Sequence, residues 1–170
     1  TELYRFINHS AKQLGFSKVG ITSALTDIKS QQRLYAWIDN NYHGTMYWIE
    51  NRKIERSNIL NYYPDAKSVI SLGLNYFTGL SSNKDNIGKI SNYAWGEDYH
   101  EIIKPRLFQL LSNIKSTNDN IHGIVCVDTS PIMEKDWAQK AGLGWIGKHT
   151  NLITKDFGSW IFLGEIILNT

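Results

Sequence analysis

The sequence holds one cysteine, Cys126, and that scarcity excludes a good deal. A lone thiol forms no intrachain disulfide and builds no thiolate-only zinc or iron–sulfur site, which takes about four. A reducing, cytoplasmic setting is the simplest expectation. Long apolar runs are also missing, since none approaches the roughly 18 residues of a membrane-spanning helix. No basic start leads into an apolar stretch and a cleavage site, so a secretion signal is not expected. Neither charge is in excess: 18 Lys+Arg against 16 Asp+Glu leave a net +2, too small for a disordered chain or an obligate polyanion coat. The histidines His9, His43, His122 and His149 lack H-x-x-x-H spacing, so no metal site is expected from them.

What is present suits one domain with one core, taken as residues 1–170. Helical spacing of Leu3, Phe6, Ile7 and Leu14 predicts a first helix closed by Gly15, and Leu34, Trp37 and Ile38 predict a second over about 28–40. Lys18–Ile21 is a short strand candidate. Residues 45–60 read as short surface helices, and Ser68–Tyr76 is the clearest strand of the first half. Gly79–Gly88 reads as a loop and Ile90–Trp95 as a strand. Ile102, Ile103, Leu107, Leu110, Leu111 and Ile114 mark a long helix that starts near Pro105 or kinks there. Ile121–Asp128 is a buried strand candidate. Ser130-Pro131 looks like a helix opening, with Ser130 as N-cap and Glu134 favourable to the dipole. Asn151–Thr154 and Ser159–Leu168 complete the strands. The order is that of a mixed α/β domain, α+β in class. The chain opens on Thr1 and stops directly after an apolar run, which reads as a piece of something longer.

Several groups could carry chemistry. Residues 142–150, GLGWIGKHT, match G-x-G-x-x-G and nearly match a phosphate loop, but the run follows a predicted helix and leads into a strand, the reverse of what anion binding at a helix N-terminus requires. It is either a glycine-rich turn or a place where backbone approaches a large flat ligand, with Trp145 and Lys148 beside it. Asp128, at the end of a buried strand, is either a turn cap or a proton donor whose pKa burial would raise. Asp98 reads as an N-cap and His100 as a first-turn residue, or the two together orient a ligand, although they are not spaced like a metal or triad motif. Cys126 reads as core. Six Trp and nine Tyr are many; most should be packing, though such a surplus suits a flat ligand or stacked bases. Arg52, Lys53 and Arg56 near Tyr47 and Trp48 form a basic–aromatic patch able to meet phosphate.

The runs Val127-Asp128-Thr129-Ser130-Pro131 with Glu134, residues 141–152 and 158–165, together with Tyr93-Ala94-Trp95-Gly96, Asp98-Tyr99-His100 and residues 64–69, resemble the epoxyqueuosine reductase family over nearly the whole chain. The resemblance implies a cobalamin-dependent oxidoreductase that reduces epoxyqueuosine in tRNA to queuosine. It implies a mixed α/β sandwich like nitroreductase-type and cobalamin-processing domains, followed by a ferredoxin-like domain with two [4Fe–4S] clusters that pass electrons to cobalt. The cluster-binding cysteines of that second domain are absent from these residues, so this chain is expected to bind cobalamin without turning over unaided. Asp128 matches the family's proton donor. By position Arg56, Tyr93, Lys148, Asn151, Ser159 and Trp160 match cofactor contacts. Base-off cobalamin without a histidine ligand, a monomeric state, and tRNA carrying epoxyqueuosine as partner complete the expectation. The competing readings are a reductive dehalogenase-like or cobalamin-processing relative, and a noncatalytic module binding tRNA or cobalamin.

Overall fold

The computed structural model describes residues 2–80 and 88–170. Its centre is a four-stranded antiparallel sheet built from β1 (Lys18–Ser23), β2 (Ser68–Asn75), β3 (Gly123–Cys126) and a C-terminal strand, Ile161–Leu168, in the order β1, β2, C-terminal strand, β3. A two-residue hairpin, β4 (Trp145–Ile146) with β5 (Leu152–Ile153), lies outside it, so the C-terminal strand is β6. Side chains alternate across a strand, and the sheet is therefore apolar on both faces. Ile70 and Leu72 of β2 and Ile166 and Leu168 of β6 meet α1 (Glu2–Gln13) and the long helix Tyr99–Lys115 through Ile7, Ala11, Ile103, Leu107, Leu110 and Ile114. Val69, Cys126 and Ile167 point the other way, against Ile59, Ile132 and Trp137.

That second layer is made of short pieces: α2 (Ile28–Asp39), α3 (Tyr47–Asn51), α4 (Lys53–Ser57) and α5 (Ile59–Tyr62). The Tyr99–Lys115 helix is then α6, and Glu134–Lys140 is α7. The whole is a mixed α/β sandwich, as expected from the sequence. Among the described residues no helix is long and apolar enough to cross a membrane.

Three local expectations change. Ile90–Trp95 forms no strand; Asn92–Ala94 is a single 3₁₀ turn, and the Trp95 indole N–H donates to the Ile90 carbonyl at 2.8 Å. The sheet ends at β1 and β3, and this exposed segment satisfies polar groups within itself instead. Ser130 caps nothing: α7 begins at Glu134 after Met133, which makes no side-chain cap bond, while Pro131 and Ile132 turn inward and are buried. Of the two readings of Pro105, a start near it is excluded, because α6 runs through it from an Asp98 N-cap. The expected loop at Gly79–Gly88 lies, for residues 81–87, outside the described residues.

Candidate active site

The end of β3 is where the chain does something unusual. Asp128 has φ 46°, and the Thr129 N–H donates to the Val127 carbonyl at 2.5 Å. That i to i+2 bond with positive φ at the central residue is the rarer, strained form of γ-turn, adopted here by an aspartate rather than a glycine. The turn lifts the carboxyl away from the sheet, and the side chain is 57% exposed. The carboxyl is therefore exposed, not buried as the sequence suggested. The shielded acid is its neighbour Glu134, whose carboxyl accepts the Asp128 backbone N–H at 2.5 Å. Desolvation, only partly offset by that hydrogen bond, pushes Glu134 up to about 7.

Across from Asp128 stands the N-terminus of α6. Asp98 caps the helix by accepting the His100 N–H at 2.9 Å, and the same oxygen lies 2.7 Å from His100 Nδ1. This fixes the ring so that Nε2 faces Asp128 Oδ2 at 3.4 Å. Desolvation pulls the imidazole pKa down, but the hydrogen bonds and charges of Asp98 and Asp128 outweigh it, and the net shift is upward. Asp98, His100 and Asp128 thus form one proton-holding row assembled from two distant segments.

Beside the row runs an aromatic wall. Trp160 meets Tyr76 at 5.7 Å between centroids, Tyr76 stacks on Phe162 at 4.3 Å, and Phe162 stacks on Tyr99 at 4.3 Å and 6°; Tyr99 adjoins the His100 ring at 4.0 Å. Burial raises the Tyr99 hydroxyl to about 12, assisted by the Asp128 and Glu134 charges. The wall borders a cleft of about 510 Å³ whose other edge carries Asp128, Lys135, Asn151 and Ser159. Lys135 donates to Asn151 Oδ1 at 2.8 Å and to the Thr150 carbonyl at 3.0 Å, and His149 Nε2 lies 2.9 Å from the Ser159 hydroxyl.

Of the residues singled out from sequence, Asp128, Tyr93, Asn151 and Ser159 share this cleft. Trp160 begins the wall but lines the neighbouring apolar cavity with Phe77 and Trp95. Arg56 lines a third cavity between α2, α4 and α7, stacked on Trp48 at 4.9 Å; burial lowers its pKa, and the charges of Glu134 and Asp128 offset that only in part. Lys148 is exposed at the tip of the β4–β5 hairpin and is not part of the cleft lining. In the basic patch Arg52 pairs with Glu55 at 2.6 Å. Cys126 is fully buried, and its thiol is pushed up to about 12 by desolvation.

The glycine-rich turn answers to its own packing. Gly142 (φ 81°) and Leu143 close α7 with N–H bonds to the Gln139 and Ala138 carbonyls, a Schellman end. A Cβ on Gly144 would stand 2.0 Å from the Ile153 carbonyl oxygen. Both glycines are thus demanded by the chain itself, without invoking a ligand's approach. The turn follows a helix and enters a hairpin, so it has no phosphate-loop geometry.

A family model described as "Epoxyqueuosine reductase QueG, DUF1730" matches residues 56–129. An epoxyqueuosine reductase of Synechocystis sp. is 46% identical over 142 residues, covering 83% of this chain and 48% of that protein. The structure of epoxyqueuosine reductase from Streptococcus thermophilus superposes with a TM-score of 0.86 at 28% identity, over 100% of this chain and 46% of that one. A crystal structure of epoxyqueuosine reductase with an epoxyqueuosine-modified tRNA-Tyr stem loop gives a TM-score of 0.84 at 27% identity, over 99% of this chain and 45% of the other. The chain spans about half the length of the curated relatives it matches.

Proposed function

Because the chain belongs to the epoxyqueuosine reductase family, we propose that it is the part of such an enzyme that holds cobalamin and the epoxide and delivers the proton that opens the ring. The observation that carries this reading is a cleft that brings Asp128 together with Tyr76, Tyr99 and Phe162 of the aromatic wall, with His100 and Asp98 joined to Asp128 in a row of polar contacts outside the lining. The lining suits a corrin. Tyr76, Tyr99 and Phe162 offer flat apolar surface, while Asn151, Ser159 and Lys135 offer donors and acceptors for amide groups at its rim.

Cobalamin, when bound, supplies a strongly reducing cobalt centre for epoxide opening. The chain's own work is proton handling and enclosure. The epoxide oxygen must gain a proton as its C–O bond breaks, and Asp128 offers an exposed carboxyl in the cleft lining. Desolvation beneath a bound substrate favours its neutral form. His100 holds a proton to higher pH than a free imidazole and faces Asp128 Oδ2, so it can replace the proton once spent. The aromatic wall limits water at the reacting centre. Electrons are expected from the ferredoxin-like [4Fe–4S] domain implied by the family, outside these residues, with the cofactor base-off and the protein cytoplasmic.

Mass spectrometry of tRNA from a strain lacking the gene tests the reading. Accumulated epoxyqueuosine, cleared by the complete gene, is the expected result; unchanged queuosine would overturn it.

A further inference from the structure

Asp128 occupies a backbone conformation that an aspartate does not hold by itself. Its φ of 46° and the Thr129 N–H to Val127 C=O bond define a turn that stays closed only when surrounding contacts over-determine it. Two sets of contacts are visible. The following residues fold inward, with a second short bond from the Ile132 N–H to the Ser130 carbonyl at 2.8 Å and with Pro131 and Ile132 buried. The other is Glu134, whose Oε1 accepts the Asp128 N–H at 2.5 Å.

We propose that Glu134 is a positioning residue: its carboxyl, reaching back from the first turn of α7, holds the Asp128 peptide in the strained turn and thereby fixes the contact between Asp128 and His100. Glu134 is the first residue of α7, whose N-cap Met133 makes no side-chain cap bond, and its carboxyl serves a residue six positions earlier. An N–H at this point has no ladder partner, because β3 ends at Cys126. Without Glu134 the amide would be left to water and the turn free to relax.

The setting restrains Glu134 in turn. Arg56 approaches from α4, Lys135 from α7 itself, Asp128 from the turn and Glu165 from β6. Glu165 is fully buried, bonded through Oε1 to the Ser71 hydroxyl at 3.2 Å, with Oε2 unpartnered, so the floor beneath Glu134 is acidic and closed. A proton on either carboxyl leaves an oxygen of Glu134 able to accept, and the neutral isostere should serve as well.

This deepens the proposed function and rests on it only for its catalytic consequence; the geometry is testable in the chain alone, with no cofactor. The experiment follows the His100 imidazole and the Asp128 amide by heteronuclear NMR from pH 5 to 9 in the wild type, Glu134→Gln and Glu134→Ala. Glu134→Gln is expected to keep the raised His100 titration and the hydrogen-bonded Asp128 amide position, whereas Glu134→Ala is expected to lose both, with His100 retaining only its Asp98 contribution. Unchanged spectra in Glu134→Ala, or equal loss in both variants, would overturn the proposal. If Glu134→Ala does not fold, the first two proteins still decide: beyond the step it shares with His100, the wild-type Asp128 amide should show a second titration step that Glu134→Gln lacks, and a wild-type amide without that second step contradicts it. In the complete enzyme Glu134→Ala should lower kcat by about 10²-fold, as misplacement of a reacting group does, with cobalamin affinity unchanged. Failure of cobalamin binding in the wild type would instead count against the proposed function.

Discussion

Asp128 and Glu134 exchange the roles that the sequence suggests for them. From the run Val125-Cys126-Val127-Asp128, a buried acid at a strand end is the natural reading; the strand is there, but at the sheet edge and with only Cys126 of its four residues fully buried. One residue later the backbone turns through positive φ, and a local reversal of that kind has no signature when the residue is an aspartate. Glu134, read only as a charge favourable to a helix start, becomes the shielded carboxyl because the turn brings its N–H donor back to it. Asp128→Asn should retain the fold and, in the complete enzyme, cobalamin binding, while epoxide reduction falls by about 10²–10⁴-fold, the usual worth of a positioned acid; single-turnover kinetics with epoxyqueuosine tRNA would measure it. The two shielded glutamates also set a pH dependence. Folded Glu134 titrates at about 7 against 4.5 unperturbed, and Glu165 lies well above 4.5 because of burial. A raised carboxyl contributes stability that is fully present below pH 4.5 and lost as pH rises through its folded value. Denaturant midpoints are therefore expected to fall between pH 5 and 8, and a Glu165→Gln variant should flatten the fall.

Elements were more legible than sites, since periodicity reports which face is apolar. The apolar, β-branched run of β2 and the helical spacing in α6 correctly place both on the core, and Asp98 is recognisable as an N-cap from its position alone. What the spacing Asp98-Tyr99-His100 could not disclose is that the cap also orients an imidazole toward a residue 28 positions away, because that contact depends on how α6 lies across β3 and β6. Asp98→Ala should remove both functions. The helix loses about 1 kcal/mol of cap stability, read by denaturant unfolding, and the His100 titration moves down, read by NMR. The glycine-rich turn teaches the opposite lesson. Its pattern suggested a ligand, yet Gly142 closes a helix and Gly144 makes room for the Ile153 carbonyl. Gly144→Ala should cost about 1–3 kcal/mol in unfolding free energy through overpacking against backbone.

On the scale of the whole molecule, the sandwich brings the end of β3, the start of α6, the start of β6 and the β4–β5 hairpin to one rim, and the cleft is where they meet. Strand order β1-β2-β6-β3 makes this possible by setting the last strand between the second and the third, an adjacency not encoded by sequence proximity. The resemblance to epoxyqueuosine reductases was visible in the residues that now line the rim, although Arg56 and Lys148 fall outside the cleft itself. The shortage of cysteine takes on a different meaning beside relatives twice as long. These 170 residues lack the thiolates for iron–sulfur chemistry and carry the groups to which the proposed function assigns the holding of a flat ligand and the movement of a proton. Titration of the chain with cob(II)alamin, followed by the corrin absorption spectrum, tests that account most directly. A saturable shift toward the base-off form is expected, and a spectrum unchanged at high protein concentration would contradict it.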